Sequence, residues 1–162
     1  MKKVLFVADF FANEVRGGAE IYDDILATLF QNDDITTVKL KTTEILDKHI
    51  RLYRECGFHV LVSNFCGMNA LTIQELVAHP GTYSIMEHDH KYLPNRDPSI
   101  FDNFEAPPDK VINRHFYASA KNVFAQSKIH AEVIRKNLKI LNVINLGMSL
   151  WTDEQLSLIE NH

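Results

Sequence analysis

Short apolar runs alternate with longer stretches of helical periodicity along the whole chain. Val4-Leu5-Phe6-Val7-Ala8 is a continuous apolar run of buried-strand type. A loop from Asp9 to Arg16 leads to Gly17-Gly18-Ala19-Glu20. Ile21, Tyr22, Ile25, Leu26 and Leu29 then recur at i, i+3/i+4, which predicts a first helix from about Ala19 to Gln31. Asn32-Asp33-Asp34 is a turn, and the more alternating Ile35 to Lys41 predicts a second strand nearer a sheet edge. Thr43 is placed to cap a helix through Arg54, with Gly57 ending it. Phe58 to Ser63 reads as a third strand, Asn64 to Gly67 as a tight turn, and Ala70 to Ala78 as a helix stopped by Pro80-Gly81. Tyr83 to Glu87 is the fourth strand.

From His88 to Pro108 the periodicity is lost, and such a long irregular segment often carries function. Pro107-Pro108 suits the opening of a helix over about Asp109 to Ala120. Asn122 to Gln126 predicts strand five, Ser127 a cap for a helix to Leu138, and Ile140 to Leu146 strand six. Thr152-Asp153-Glu154-Gln155 has capping-box spacing and starts a last helix.

Six strands separated by helices define an α/β class, a doubly wound, Rossmann-like, mostly parallel six-stranded sheet. Ligands of such sheets bind outside the carboxyl ends of the strands. Those ends carry Asp9 and the glycine loop, Ser63-Asn64, Glu87-His88-Asp89-His90, and Ser127. The expected division is one domain over 1–150, with 151–162 starting a linker or helix toward a second domain.

Composition narrows this picture. At 162 residues the chain is one domain by length, able to bury ~70% of its unfolded surface. A net charge of −4 without a basic stripe gives no electrostatic case for nucleic acid. No apolar run approaches the ~20 residues of a membrane span. Asp9 interrupts the first apolar run too early for a secretory leader. Cys56 and Cys66 form no disulfide framework and read as reduced thiols, so the expected location is cytoplasmic.

Four groups carry candidate chemistry. Gly17-Gly18, opening a helix, permits close approach of a phosphate to backbone N–H groups, with Arg16 able to pair with it. The spacing is neither G-x-G-x-x-G nor a P-loop, and a close-packing turn explains the pair equally well. In extended geometry His88 and His90 project to the same side. They lack the third and fourth ligands of a metal site, so no metal is expected, and a single acid/base or donor histidine fits better. In the irregular segment Tyr92, Arg96 and Asp97 suit a cleft wall, whereas Phe101 and Phe104 read as pins to the core. Ser127 is explained as a helix cap, with a weaker case as a ligand contact. His49, His59, His79, His115 and His130 have no partner pattern and read as structural or surface residues.

The combination of the apolar first strand with Arg16-Gly17-Gly18-Ala19-Glu20, then Tyr83-Ser84-Ile85-Met86-Glu87-His88-Asp89-His90, then Asn122-Val123-Phe124-Ala125-Gln126-Ser127-Lys128, resembles a known family. It is similar to the N-terminal, acceptor-side domain of a GT-B glycosyltransferase of the retaining family 4 type. Over Glu87 to Pro107 it is similar to phage and bacterial members. The resemblance implies hexosyl transfer from a nucleotide-sugar to an acceptor hydroxyl. His88 would act at the reacting sugar as the catalytic residue. Arg16, Gly17, Gly18, Asn64, Asp89 and Ser127 would contact substrate, and no cofactor or metal is implied. In the family the donor nucleotide is held mostly by a second Rossmann-like domain bearing an E-x7-E signature, and no two glutamates here have that spacing. The implied partners are therefore the nucleotide-sugar, an acceptor, and either a second copy of the chain or a separate C-terminal half, with the single chain inactive alone.

Two rival readings follow from the same residues. One is a non-catalytic Rossmann-like binding or assembly module. The other, a receiver-like signalling domain, needs an acidic pair after strand one and an Asp ending strand three. Here a lone Asp9 and Ser63-Asn64 occupy those places.

Overall fold

A computed structural model describes residues 2–160. All six strands are parallel: β1 (Lys3–Ala8), β2 (Thr36–Lys41), β3 (His59–Val62), β4 (Tyr83–Glu87), β5 (Val123–Ala125) and β6 (Val143–Asn145). Their order across the sheet is β2-β1-β3-β4-β5-β6. The fold is the doubly wound, Rossmann-like sheet that the alternation of elements predicts. The strand order reverses between β1 and β3. The alternating second strand lies at an edge, as expected.

The helices are α1 (Gly18–Asn32), α2 (Asp47–Glu55), α3 (Ala70–Val77), α4 (Arg114–Ser119), α5 (Lys128–Leu138) and α6 (Asp153–Glu160). Strand alternation divides the sheet into two faces. Leu5, Val7, Val60, Val62, Tyr83, Ile85, Val123 and Val143 face the larger core, packed with Ile50, Leu76, Phe116, Ile134 and Leu138 of α2 to α5. Phe6, Leu61 and Met86 point the other way, against Tyr22 and Ala27 of α1. That second face also takes Leu146 and Leu150, from the chain after β6. Among the described residues no helix is long and apolar enough to cross a membrane.

Three local expectations are corrected. Thr43 does not cap a helix. Residues 42–45 make a turn, with Glu44 and Ile45 N–H groups on the Lys41 carbonyl, and α2 begins only at Asp47. Ile45 is buried in that turn, and its carbonyl accepts from Asn69 Nδ2 at 3.3 Å, so the turn is fixed by α3 rather than by helix propensity.

The helix expected over Asp109 to Ala120 divides into a single 3-10 turn, Pro108–Lys110, and the short α4. Ile112 N–H donates to the Tyr92 carbonyl at 2.8 Å and Asn113 is left-handed at φ 55°, which separates the two. Phe104 is not a core pin. It is 48% exposed at φ 59°, while Phe101 packs on the core. The side chain that holds this part of the segment is Asn137 on α5. Its amide accepts from Ala106 N–H at 2.8 Å and donates to the Phe104 and Val133 carbonyls at 2.8 and 2.9 Å.

Candidate functional site

The carboxyl ends of the strands are tied together by Asp9, the first residue after β1. Its carboxylate accepts from Cys66 N–H at 2.9 Å, Gly67 N–H at 2.8 Å and Thr42 Oγ1 at 2.5 Å. One side chain therefore fastens the loops that follow β1, β2 and β3. Asp9 is a structural clasp rather than a group turned toward a ligand.

A cleft of about 300 Å3 lies at this edge, on the α1 face of the sheet. Gly18, Ala19 and Tyr22 of α1, His88 after β4, Gln126 after β5 and Trp151 before α6 are among its walls. Gly18 is the first residue of α1, so backbone N–H groups of the first helical turn lie beside the cleft. A Cβ built on Gly18 would meet nothing within 4 Å. Packing inside the chain does not demand a glycine there, and the space beside it is the cleft.

Gly17 differs. It caps α1 in extended conformation, and a Cβ on it would collide with the Glu20 carboxylate. Glu20 folds back over the first turn of α1, where its other oxygen accepts from Asn64 Nδ2 at 3.3 Å. A carboxylate in that place complements the helix dipole as an incoming anion would.

The four residues Glu87 to His90 go four separate ways. Glu87 shares the larger-core face with Tyr83 and Ile85 and is fully buried. Its carboxylate accepts the Tyr117 hydroxyl, Asp89 N–H at 3.0 Å and Lys91 N–H at 3.4 Å, with Lys91 Nζ 3.6 Å away. It anchors the turn that ends β4. Burial, and after it the Glu87 charge, push the Tyr117 hydroxyl well above its ordinary range.

His88 continues the opposite face, that of Ser84 and Met86, and so reaches α1. Its Nε2 lies 3.1 Å from Ser63 Oγ and 3.4 Å from Asp23 Oδ1. The Tyr22 ring meets the imidazole edge-on at 5.4 Å. Ser63 and Asp23 are both fully buried, and Asp23 Oδ2 has no partner.

Asp89 turns away from the cleft to Lys91 and Arg96, the latter at 3.0 Å. Burial works to raise its carboxyl, but those two cations hold it below the usual carboxylate range.

His90 does not share a side with His88. Its backbone is left-handed at φ 58°, which swings the ring to Tyr92, Nδ1 to hydroxyl at 2.8 Å, and to His130 at 4.6 Å between ring centres. Burial lowers both of these imidazoles, and His130, whose Nε2 is sealed without a partner, falls to about 4.

Of the residues named from sequence, Gly18 and His88 meet in one cleft. Gly17 stands behind Glu20. Asn64 binds Glu20. Arg16 is exposed in the preceding loop. Ser127 caps α5, accepting His130 N–H at 3.2 Å, and its neighbour Gln126 faces the cleft instead.

Sequence reading placed Ser63 at the ligand edge without a partner, and missed Asp23, Tyr22 and Trp151 as parts of the site. A signal for Asp23 existed. Ala19, Asp23, Ala27 and Phe30 form an i, i+4, i+8, i+11 row, and Asp23 and Ala27 are buried while Leu29 is 45% exposed. An acid in line with two alanines on a helix face stands where that face packs on the sheet.

Comparison with protein-family models, with curated proteins and with solved structures finds no match for this chain.

Proposed function

We propose that this chain is the acceptor-side half of a GT-B glycosyltransferase of the family 4 type, moving a hexose from a nucleotide-sugar to an acceptor hydroxyl. One observation carries the proposal: Gly18, at the N-terminal turn of α1, and His88, at the end of β4, line the same cleft. A helix N-terminus offers N–H donors to a diphosphate. A histidine across from it meets the sugar that the diphosphate carries. In this proposal Glu20 is the resident anion that the diphosphate displaces, releasing Asn64.

Rate in such a transfer depends on holding donor and acceptor together. This half supplies one wall of that arrangement, and in this proposal a second, donor-holding half completes it. The exposed Trp151, Leu158 and Ile159, at 53, 59 and 59%, support a contact through the C-terminal segment. A non-catalytic binding module draws its own support from Glu20, since an occupied helix N-terminus has less need of a phosphate.

Titration of the chain with uridine and guanosine diphosphate sugars, followed by amide NMR, separates the two. Glycosyltransferase ancestry predicts saturable shifts at Gly18, Ala19 and His88. Shifts absent for every nucleotide-sugar leave the binding module as the reading.

A further inference from the structure

His88 is held by one nitrogen only. Nε2 faces Asp23 Oδ1 at 3.4 Å and Ser63 Oγ at 3.1 Å, both inside the protein. Nδ1 has no hydrogen-bond partner among the described residues. It is also absent from the sealed, unpartnered side-chain atoms, which are Asp23 Oδ2 and His130 Nε2. With Nε2 turned inward and the ring lining the cleft, Nδ1 is the nitrogen left for a ligand.

The chemistry of the inner partners decides which nitrogen carries hydrogen. An ionised carboxylate only accepts. Against a carboxylate, a bare Nε2 would set its lone pair on Asp23 Oδ1, while the other oxygen, Oδ2, has no hydrogen-bond partner among the described residues. Ser63 can donate or accept, so it follows whichever arrangement Asp23 imposes. We infer that Asp23 and Ser63 are positioning residues that hold His88 as the Nε2–H tautomer. Nδ1 then faces the cleft as a hydrogen-bond acceptor, and the ligand group it meets is a donor, a hydroxyl. The inference rests on the proposed function only for taking the cleft as the ligand site.

The tautomer is read without any ligand. Protein labelled with 15N-histidine, held at about pH 8.5 above the ordinary imidazole range, gives long-range 1H–15N patterns that distinguish Nε2–H from Nδ1–H. The His88 signals are assigned by their loss in His88→Gln. The expected wild-type pattern is Nε2–H. Asp23→Asn puts an amide N–H against Nε2 and is expected to move the ring toward Nδ1–H, while Ser63→Ala, with Asp23 in place, is expected to keep Nε2–H. Methyl glucoside, the simplest hydroxyl-bearing sugar probe, is expected to shift Nδ1 in the wild type and less in Asp23→Asn.

A wild-type ring protonated at Nδ1, or an Asp23→Asn spectrum identical to wild type, overturns the positioning role. If Asp23→Asn does not fold, the wild-type and Ser63→Ala spectra decide the tautomer. An Nδ1 unmoved by methyl glucoside overturns the assignment of a hydroxyl to this position. Failure of nucleotide-sugars to bind overturns the proposed function and leaves the tautomer result standing.

Discussion

Replacing Gly18 with alanine separates a glycine kept for folding from one kept for a ligand. Gly18 opens α1, its backbone lies outside the left-handed region, and a Cβ would meet nothing within 4 Å. Glycine to alanine at such a site stabilises by about 0.4–1 kcal/mol, mostly by restricting the unfolded chain. At a first helical position the lower part of that range applies, about 0.5 kcal/mol. For a domain of this size that raises Tm by roughly 1–2 °C.

The added methyl enters the cleft shared with His88. It keeps a diphosphate from the N–H groups of the first turn, and a tenfold loss of nucleotide-sugar affinity, about 1.4 kcal/mol, is expected. Thermal unfolding of wild type and Gly18→Ala, paired with calorimetric titration of the same samples, measures both quantities. Gly17→Ala is the control: it moves the flexible Glu20 carboxylate aside and puts a poor capping residue at the N-cap of α1, so no gain in stability is expected there. A less stable Gly18→Ala, or one that binds the nucleotide-sugar as the wild type does, refutes the reasoning.

Three further outcomes follow from named contacts. Glu20→Gln removes the resident charge at the α1 N-terminus while preserving an acceptor for Asn64, so affinity for inorganic pyrophosphate is expected to rise about two- to fivefold by calorimetry, the equivalent of about 0.3–1 kcal/mol for a charge at a helix terminus. Asn137→Ala breaks three hydrogen bonds and leaves Ala106 N–H and the Phe104 carbonyl short of partners, costing about 2–4 kcal/mol in urea unfolding and loosening the segment before α4. His130, lowered to about 4 by burial and then by His90, binds its proton in the unfolded chain before it does in the folded one. Its contribution is therefore complete above the ordinary imidazole range and lost as pH falls from about 6.5 toward 4, and urea midpoints measured across that window should fall more steeply in wild type than in His130→Leu.

The fold was legible because its signals are local. Apolar runs such as Phe58 to Ser63 and Tyr83 to Glu87 cannot avoid being buried strands, and Ser127 sits where a cap must. Thr152 and Gln155 form the reciprocal cap their spacing predicts, at 2.8 and 3.2 Å. Elements decided by distant partners were not legible. Residues 42–45 look like a helix start, but the turn there is imposed by Asp9 and α3. Phe104 looks like a pin, but a polar side chain, Asn137, does the pinning.

In the site, the expectation that His88 and His90 share a side fails because the left-handed turn at His90 has no signature in residue type. Asp23 is hidden because an acid in a helix is ordinarily a solvated one. Its place between Ala19 and Ala27 hints at burial, and only the structure shows that it lies against His88.

The central claim is that the cleft bounded by Gly18 and His88 receives a nucleotide-sugar. Its most direct test is chemical-shift mapping of the full chain during titration with uridine diphosphate glucose and guanosine diphosphate mannose. The account predicts saturable movement concentrated at Gly18, Ala19, the His88 ring and Gln126, with Asn64 following as Glu20 is displaced. Saturable binding that leaves those positions still and moves another face of the sheet, or no binding by either compound, contradicts it.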